Sequence, residues 1–201
     1  MALIKNDKEE YVSVLGDGTL RIVVPKGTEG AVEREYETSD GKKGVKYELI
    51  FNSLVGKITD VKFFDGDFGK LIQAVITDGE GSLTLSLPTN QNFGEDFMKK
   101  LPVIDLEKEV KITPYSFEDE KGKTRKGLTI EQDGKKIQNF FYDAEKKANI
   151  NKYPNPKGDT KEYDSDDWKM YFMEARKFLT KYVEDNIIPK FVKNEDLAED
   201  F

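Results

Sequence analysis

Apolar and polar residues alternate with a period of two along most of the first 140 residues, the signature of half-buried strands. Tyr11-Val-Ser-Val-Leu15 and Thr19-Leu-Arg-Ile-Val-Val24 flank Gly16-Asp-Gly18 and predict a hairpin. A charged segment, Gly30 to Gly44, reads as a loop before a third run, Lys46-Tyr-Glu-Leu-Ile-Phe51. Five further strand-like runs follow: Leu54 to Phe64, Lys70 to Thr77, Ser82 to Leu87, Glu109 to Phe117 and Gly127 to Glu131. The step from Ile58 to Val61 breaks the alternation in the first of these and implies a bulge, after which one of Phe63 and Phe64 is expected in the core. Between the third and fourth runs, Phe93, Phe97, Met98 and Leu101 recur at helical spacing before Pro102, which predicts a helix over about residues 92 to 101. A sixth run, Lys136 to Tyr142, follows the Asp133-Gly134 turn.

The period changes after residue 142. Asn149 to Asp166, rich in Asn, Pro, Lys and Asp, reads as a loop. Asp164-Ser-Asp-Asp then supplies an N-cap and first-turn acids for a helix over about 165–186. Its apolar stripe runs from Trp168 through Tyr171, Phe172, Ala175, Phe178, Leu179 and Tyr182 to Val183, and is expected to pack on the β structure, with Ile187, Ile188 and Phe191 extending the contact. Three strands, a helix and two strands is the order of an OB-fold, a five-stranded Greek-key barrel. The expected architecture is mainly β: a single OB-fold domain over 1–193 with its barrel core at about 54–142, an N-terminal β extension at 10–51, a C-terminal helix, and an acidic tail from Asn194 to Phe201 expected to be mobile.

Composition narrows the chemistry. The 201 residues contain neither Cys nor His, which removes disulfides, thiolate nucleophiles, the commonest general base and the usual zinc ligands. No apolar run approaches the roughly 20 residues of a membrane helix. The N-terminus lacks the apolar stretch of a signal peptide, so a cytoplasmic protein with no membrane partner is expected. Asp60, Asp65 and Asp67 read as turn residues beside Gly66, and no Walker loop or nucleophile elbow is present. A non-catalytic protein without cofactor or metal is the expectation.

The net charge is −7, yet Asp159 to Phe201 carries 12 acids against 7 bases while the preceding residues carry 27 against 25. Six bases, Lys121, Lys123, Arg125, Lys126, Lys135 and Lys136, lie within 16 residues beside two acids, Glu131 and Asp133. An OB barrel binds nucleic acid across its strand 2–3 face and the loops joining strands 1–2 and 4–5. Here the first loop reads Lys62-Phe-Phe-Asp-Gly-Asp-Phe-Gly-Lys70, with Phe68 the preferred stacking ring and Lys57 outward on the strand before it. On the fourth strand, Lys111, Thr113, Tyr115 and Phe117 should share the face opposite Val110 and Ile112 and run into the basic loop. The competing reading packs Tyr115 and Phe117 under the C-terminal helix and leaves the lysines as loop solvation. Ser82, Thr84 and Ser86 face outward on the third strand, where small side chains let a polynucleotide lie close.

Over Leu54 to Tyr142 the chain resembles phage replication single-stranded DNA-binding proteins of the OB-fold type. The resemblance rests on Gly56-Lys-Ile-Thr-Asp-Val-Lys, Asp67-Phe-Gly-Lys70, Leu85-Ser-Leu-Pro88, Leu101-Pro and Thr113-Pro-Tyr-Ser-Phe-Glu-Asp-Glu120 followed by Lys-Gly-Lys. The tail, with Glu195, Asp196, Glu199, Asp200 and Phe201, is similar to the acidic, phenylalanine-terminated ends of bacterial and phage members. The resemblance implies sequence-independent coating of single-stranded DNA in replication and recombination. It places the binding role on Lys62, Phe68, Lys70, Lys111, Tyr115, Phe117, Lys123, Arg125 and Lys126, to which strand alternation adds Lys57 and the basic run adds Lys121. It also implies recruitment of a polymerase, helicase or primase through the tail, and is compatible with a homo-oligomer. A non-catalytic OB-barrel protein-protein adaptor is the alternative, for which overall acidity is natural. The N-terminal hairpin has no clear counterpart in the simplest members. Deletion of Asn194 to Phe201 is expected to tighten oligonucleotide binding and abolish partner recruitment; unchanged affinity with recruitment retained contradicts the assignment of the tail.

Overall fold

The computed structural model describes residues 10–38, 40–67 and 69–195, the side chains of 192–195 excepted. In chain order the elements are β1 (Glu10–Val14), β2 (Leu20–Val24), β3 (Val32–Glu37), β4 (Lys43–Phe51), β5 (Leu54–Gly66), β6 (Gly69–Thr77), β7 (Ser82–Pro88), α1 (Asn92–Lys100) with a 3-10 turn at Leu101–Val103, β8 (Glu109–Glu118) and β9 (Thr124–Gln132). The short strands β10 (Lys135–Lys136), β11 (Tyr142–Asp143) and β12 (Ala148–Asn149) follow, then α2 (Ser165–Asn186) and α3 (Ile188–Glu195).

The protein is mainly β, with one ten-stranded sheet in the order β10-β9-β8-β5-β6-β7-β1-β2-β4-β3 and a C-terminal helix. Within it, β5 to β9 keep the sequence of the five expected barrel strands, and the bulge falls between Ile58 and Asp60. The expected closed five-stranded barrel is replaced by a larger sheet: the outer edge of β7 pairs in parallel with β1, Val12 opposite Leu85, instead of with β9. The charged segment expected as a loop forms β3, paired with β4. Its charges serve the fold, because Arg34 and Arg21 both donate to Glu48, at 2.6 and 3.1 Å, which leaves this buried carboxylate fully paired. The Arg34 hydrogen bond, with help from Arg21, holds the Glu48 carboxyl below its ordinary range.

The edge of β9 is held by a helix. Asp96 of α1 accepts from the Leu128 backbone N–H at 2.7 Å, Lys100 donates to the Leu128 carbonyl, and the two side chains are 2.9 Å apart. Both peptide groups that an adjoining strand would take are thereby satisfied. Pro114 is tolerated in β8 because it lies beyond the stretch, Glu109 to Ile112, that pairs with β5. Past that stretch the β1–β2 turn closes in: a Cβ on Gly18, whose φ is 81°, would meet the Ser116 nitrogen at 2.6 Å, so only glycine lets the turn sit against β8.

Inward residues of the sheet, such as Val61, Ile72, Leu85, Ile112 and Leu128, join Phe97 and Met98 of α1 and Leu101 of the 3-10 turn in one core. α2 adds Ala175, Leu179 and Val183, and Ile187 and Phe191 extend it as expected. Asp164 caps α2, accepting from the Asp166 and Asp167 N–H groups at 2.7 and 2.9 Å. The sixth run stops after Lys136, because Phe141 turns into an aromatic cluster with Tyr153, Phe178 and Tyr182 and the Phe140 N–H donates to the Lys99 carbonyl. The stripe on α2 is core only from Ala175 onward. Trp168 and the 40% exposed Phe172 stack on each other in the first turns of the helix. Asp96→Ala is expected to cost about 1–3 kcal/mol by orphaning the Leu128 N–H and Lys100. The urea midpoint should fall with an unchanged slope, and an unmoved midpoint would show that the β9 edge does not depend on this pair.

Candidate nucleic-acid interface

The alternation that fills the core also decides which side chains β5 to β9 present outside. Along β8, Val110 and Ile112 are buried while Lys111, Tyr115 and Phe117 are exposed. Tyr115 and Phe117 lie 5.8 Å apart, centroid to centroid, on the outer surface rather than under α2, whose place is taken by the Phe141 cluster. Tyr115 is 36% exposed and Phe117 55%. The Tyr115 ring lies over Gly127, its cross-strand partner, where a Cβ would meet the ring at 2.8 Å. Partial burial there, with the negative charge of Asp96 adding to it, raises the Tyr115 hydroxyl above its ordinary pKa.

The β8–β9 turn is ordered by Asp119. Its carboxylate accepts from the Lys123 and Lys121 N–H groups at 2.9 and 3.0 Å and from Arg125 Nε at 2.8 Å, interactions that hold the carboxyl below its ordinary range. Arg125 is therefore committed to the turn, whereas Lys121, Lys123 and Lys126 have no ion-pair partner among the described residues. Lys126 also lines a groove of about 770 Å³ together with Ser13, Gly16, Leu71, Ser86 and Asn90. That groove joins the β8–β9 hairpin to the outer face of β6, β7 and β1.

Across that face the register sets Lys62, Gln73, Ser86, Ser13 and Arg21 in one row on five successive strands. A second row, Thr59, Thr77 and Ser82, is linked by hydroxyl contacts of 3.0 and 2.9 Å. Small polar side chains therefore floor the sheet, and Lys62 stands exposed at its β5 border. Phe63 packs against the core and Phe64 is 53% exposed, which resolves the ambiguity left by the bulge.

Other expected residues lie apart. Lys57 and Lys111 share a separate groove of about 640 Å³ with Glu107, Glu109, Glu131 and Asp133, so their charge is locally offset. Lys70 is drawn toward α2, where its ammonium lies 3.3 Å from Glu184 and 5.2 Å from the Phe63 ring centre. Phe68 lies outside the described residues, as do Asp196, Glu199, Asp200 and Phe201 of the tail, while Glu195 ends α3. Two exposed aromatics were not among the expected site residues: Phe64, and Tyr11, 48% exposed opposite Thr84. The alternation of Tyr11-Val-Ser-Val marks Tyr11 as outward, but local sequence does not reveal that its strand joins the sheet beside β7.

Among the described residues no group of three or more acidic side chains is placed to hold a metal ion, and no helix is long and apolar enough to cross a membrane. No family model, curated protein or solved structure matches the chain. Because Phe117 lies mainly on the surface, Phe117→Leu should change stability by about 0.5 kcal/mol or less, and Tyr115→Leu, which uncovers Gly127, by about 1 kcal/mol, against about 3–5 kcal/mol for Phe141→Ala in the core. Denaturant titration measures this, and unfolding of either surface variant would return its ring to the core.

Proposed function

We propose that the protein coats single-stranded DNA without sequence preference, on a sheet with OB-like strand order, and that it performs no catalysis. The observation that carries this reading is the joining of exposed rings and unpaired lysines on one continuous outer surface: Tyr115, Phe117 and Lys126 on the β8–β9 hairpin, then Phe64, Lys62 and Tyr11 around a polar floor. Rings offer each base a stacking surface worth about 1–3 kcal/mol, and ammonium groups meet phosphates without reading sequence. A flat floor of Ser and Thr lets the strand approach. The acidic average is no obstacle, since the lysines of the hairpin lack carboxylate partners among the described residues and the excess acid is concentrated after residue 158. In this reading the protein works in the cytoplasm of a phage-infected cell, in replication and recombination, and the tail from Asn194 recruits a replication partner.

The adaptor reading is favoured by one observation, the exposed Val23, Val32 and Ile50 on the outer face of β2, β3 and β4, a surface suited to protein rather than to phosphate. A labelled thymidine oligonucleotide separates the two. With about five phosphates neutralised, log affinity should fall against log salt with a slope of about −3 to −4. Phe117→Leu, which keeps the fold, should weaken binding about tenfold. Absence of binding at low salt, or preference for duplex, would transfer the assignment to the adaptor.

A further inference from the structure

α2 carries acids and bases in near balance, five against four. Arg176, Lys177 and Lys181 come together with Lys70 and Thr89 on the walls of a cleft of about 320 Å³ between α2 and the sheet, with Glu184 as the one carboxylate among the described residues that line it. The acids elsewhere on the helix are occupied: Asp166 and Asp167 serve the cap, Glu174 pairs with Lys157 at 3.4 Å, and Asp185 pairs with Lys181 at 3.0 Å.

Arg176 Nε is buried and has no hydrogen-bond partner. A buried guanidinium N–H without an acceptor is costly, and its planar fork matches the oxygens of a phosphate. Lys177 has no ion-pair partner among the described residues. The Lys70 to Glu184 pair is long, at 3.3 Å, and both side chains are over a third exposed, so an incoming anion can replace Glu184 at little cost. A donor without an acceptor, a free lysine and a loosely held one thus meet in one concave place.

The cleft adjoins the surface already assigned. Thr89 lines it, while the neighbours of Thr89, Pro88 and Asn90, line the larger groove that holds Lys126. The geometry points to this cleft as a second phosphate site, which takes the sugar-phosphate backbone of the single strand after it leaves the sheet face over the β7–α1 turn. This rests on the proposed single-strand binding and extends it: the sheet face engages a short strand, and the α2 cleft adds contacts only to a longer one. Among the described residues no aromatic ring lines the cleft, so the contribution of those residues is ionic and strongly salt-dependent.

The test compares thymidine oligonucleotides of about 8 and about 25 nucleotides, the first within the span of one OB-type face and the second beyond it. The full-length chain is used, with a variant carrying Arg176→Gln, Lys177→Gln and Lys181→Gln and a control losing equal charge elsewhere, Lys157→Gln, Lys161→Gln and Lys169→Gln. The cleft variant should bind the long strand about tenfold more weakly, with a salt slope shallower by about 1.4, two contacts, Arg176 and Lys177, at about 0.7 each, since Lys181 is held by Asp185. It should bind the short strand like the wild type, and the control should match the wild type on both. Should the triple variant lose its fold, the exposed Lys177→Gln by itself is expected to lower the long-strand slope by about 0.7. Equal slopes for variant and wild type on the long strand, or equal losses on both lengths, overturn the cleft while leaving the sheet face intact. Failure of the wild type to bind either length overturns the sheet reading and the cleft together.

Discussion

The structure depends on how the sheet's two interior edges are satisfied. Strands β5 to β9 do not close on themselves by β7 pairing with β9, so two rows of peptide groups have to find other partners. On β7 the partner is β1, running parallel. On β9 it is the Asp96 and Lys100 pair, which meets both polar groups of Leu128. Those side chains can do so because α1 is seated by Phe97 and Met98 in the core, and the β1–β2 turn can then reach β8 because Gly18 has no side chain. The same arrangement carries Lys126 to the groove beside Ser13 and Ser86. A polar seam inside the fold thus sets the shape of the surface outside it.

Much of this was legible in the sequence because a period of two survives wherever one face of a strand is buried. Val110, Ile112, Lys111, Tyr115 and Phe117 fell on the faces their alternation predicts, and the Ile58 to Val61 step marked the bulge. β3 was hidden because its alternation, Val32, Arg34 and Tyr36 against three glutamates, is a contrast of charges, and Arg34 is needed by a residue 14 positions away. The parallel pairing of β1 with β7 joins segments about 70 residues apart and has no local signature. The run from Lys136 to Tyr142 looked like a strand because two adjacent phenylalanines have strong β propensity, but their burial against Phe178 and Tyr182 settles the backbone otherwise. Trp168 and Phe172 continue the helical stripe of α2 but stack on each other, with Phe172 exposed, instead of joining the core.

For the candidate site, residue type was a good guide to exposure and a poor one to company. Lys57 and Lys111 lie among carboxylates, Arg125 is bound into its own turn, and Lys70 is turned toward Glu184. The lysines that keep their positive potential, Lys62, Lys121, Lys123 and Lys126, border the exposed rings. Pairing of charges is a property of the fold, and it determines how an acidic chain can present a locally basic surface.

The central claim is that the outer face from the β8–β9 hairpin to β5, β6, β7 and β1 is where a single strand lies. Ultraviolet cross-linking of a 5-bromouracil-substituted oligonucleotide to the full-length protein, with the modified residues identified by mass spectrometry, tests it most directly. Adducts on Tyr115, Phe117, Phe64 and Tyr11 are the predicted result. Adducts confined to Trp168 and Phe172, with none on the sheet, would contradict it.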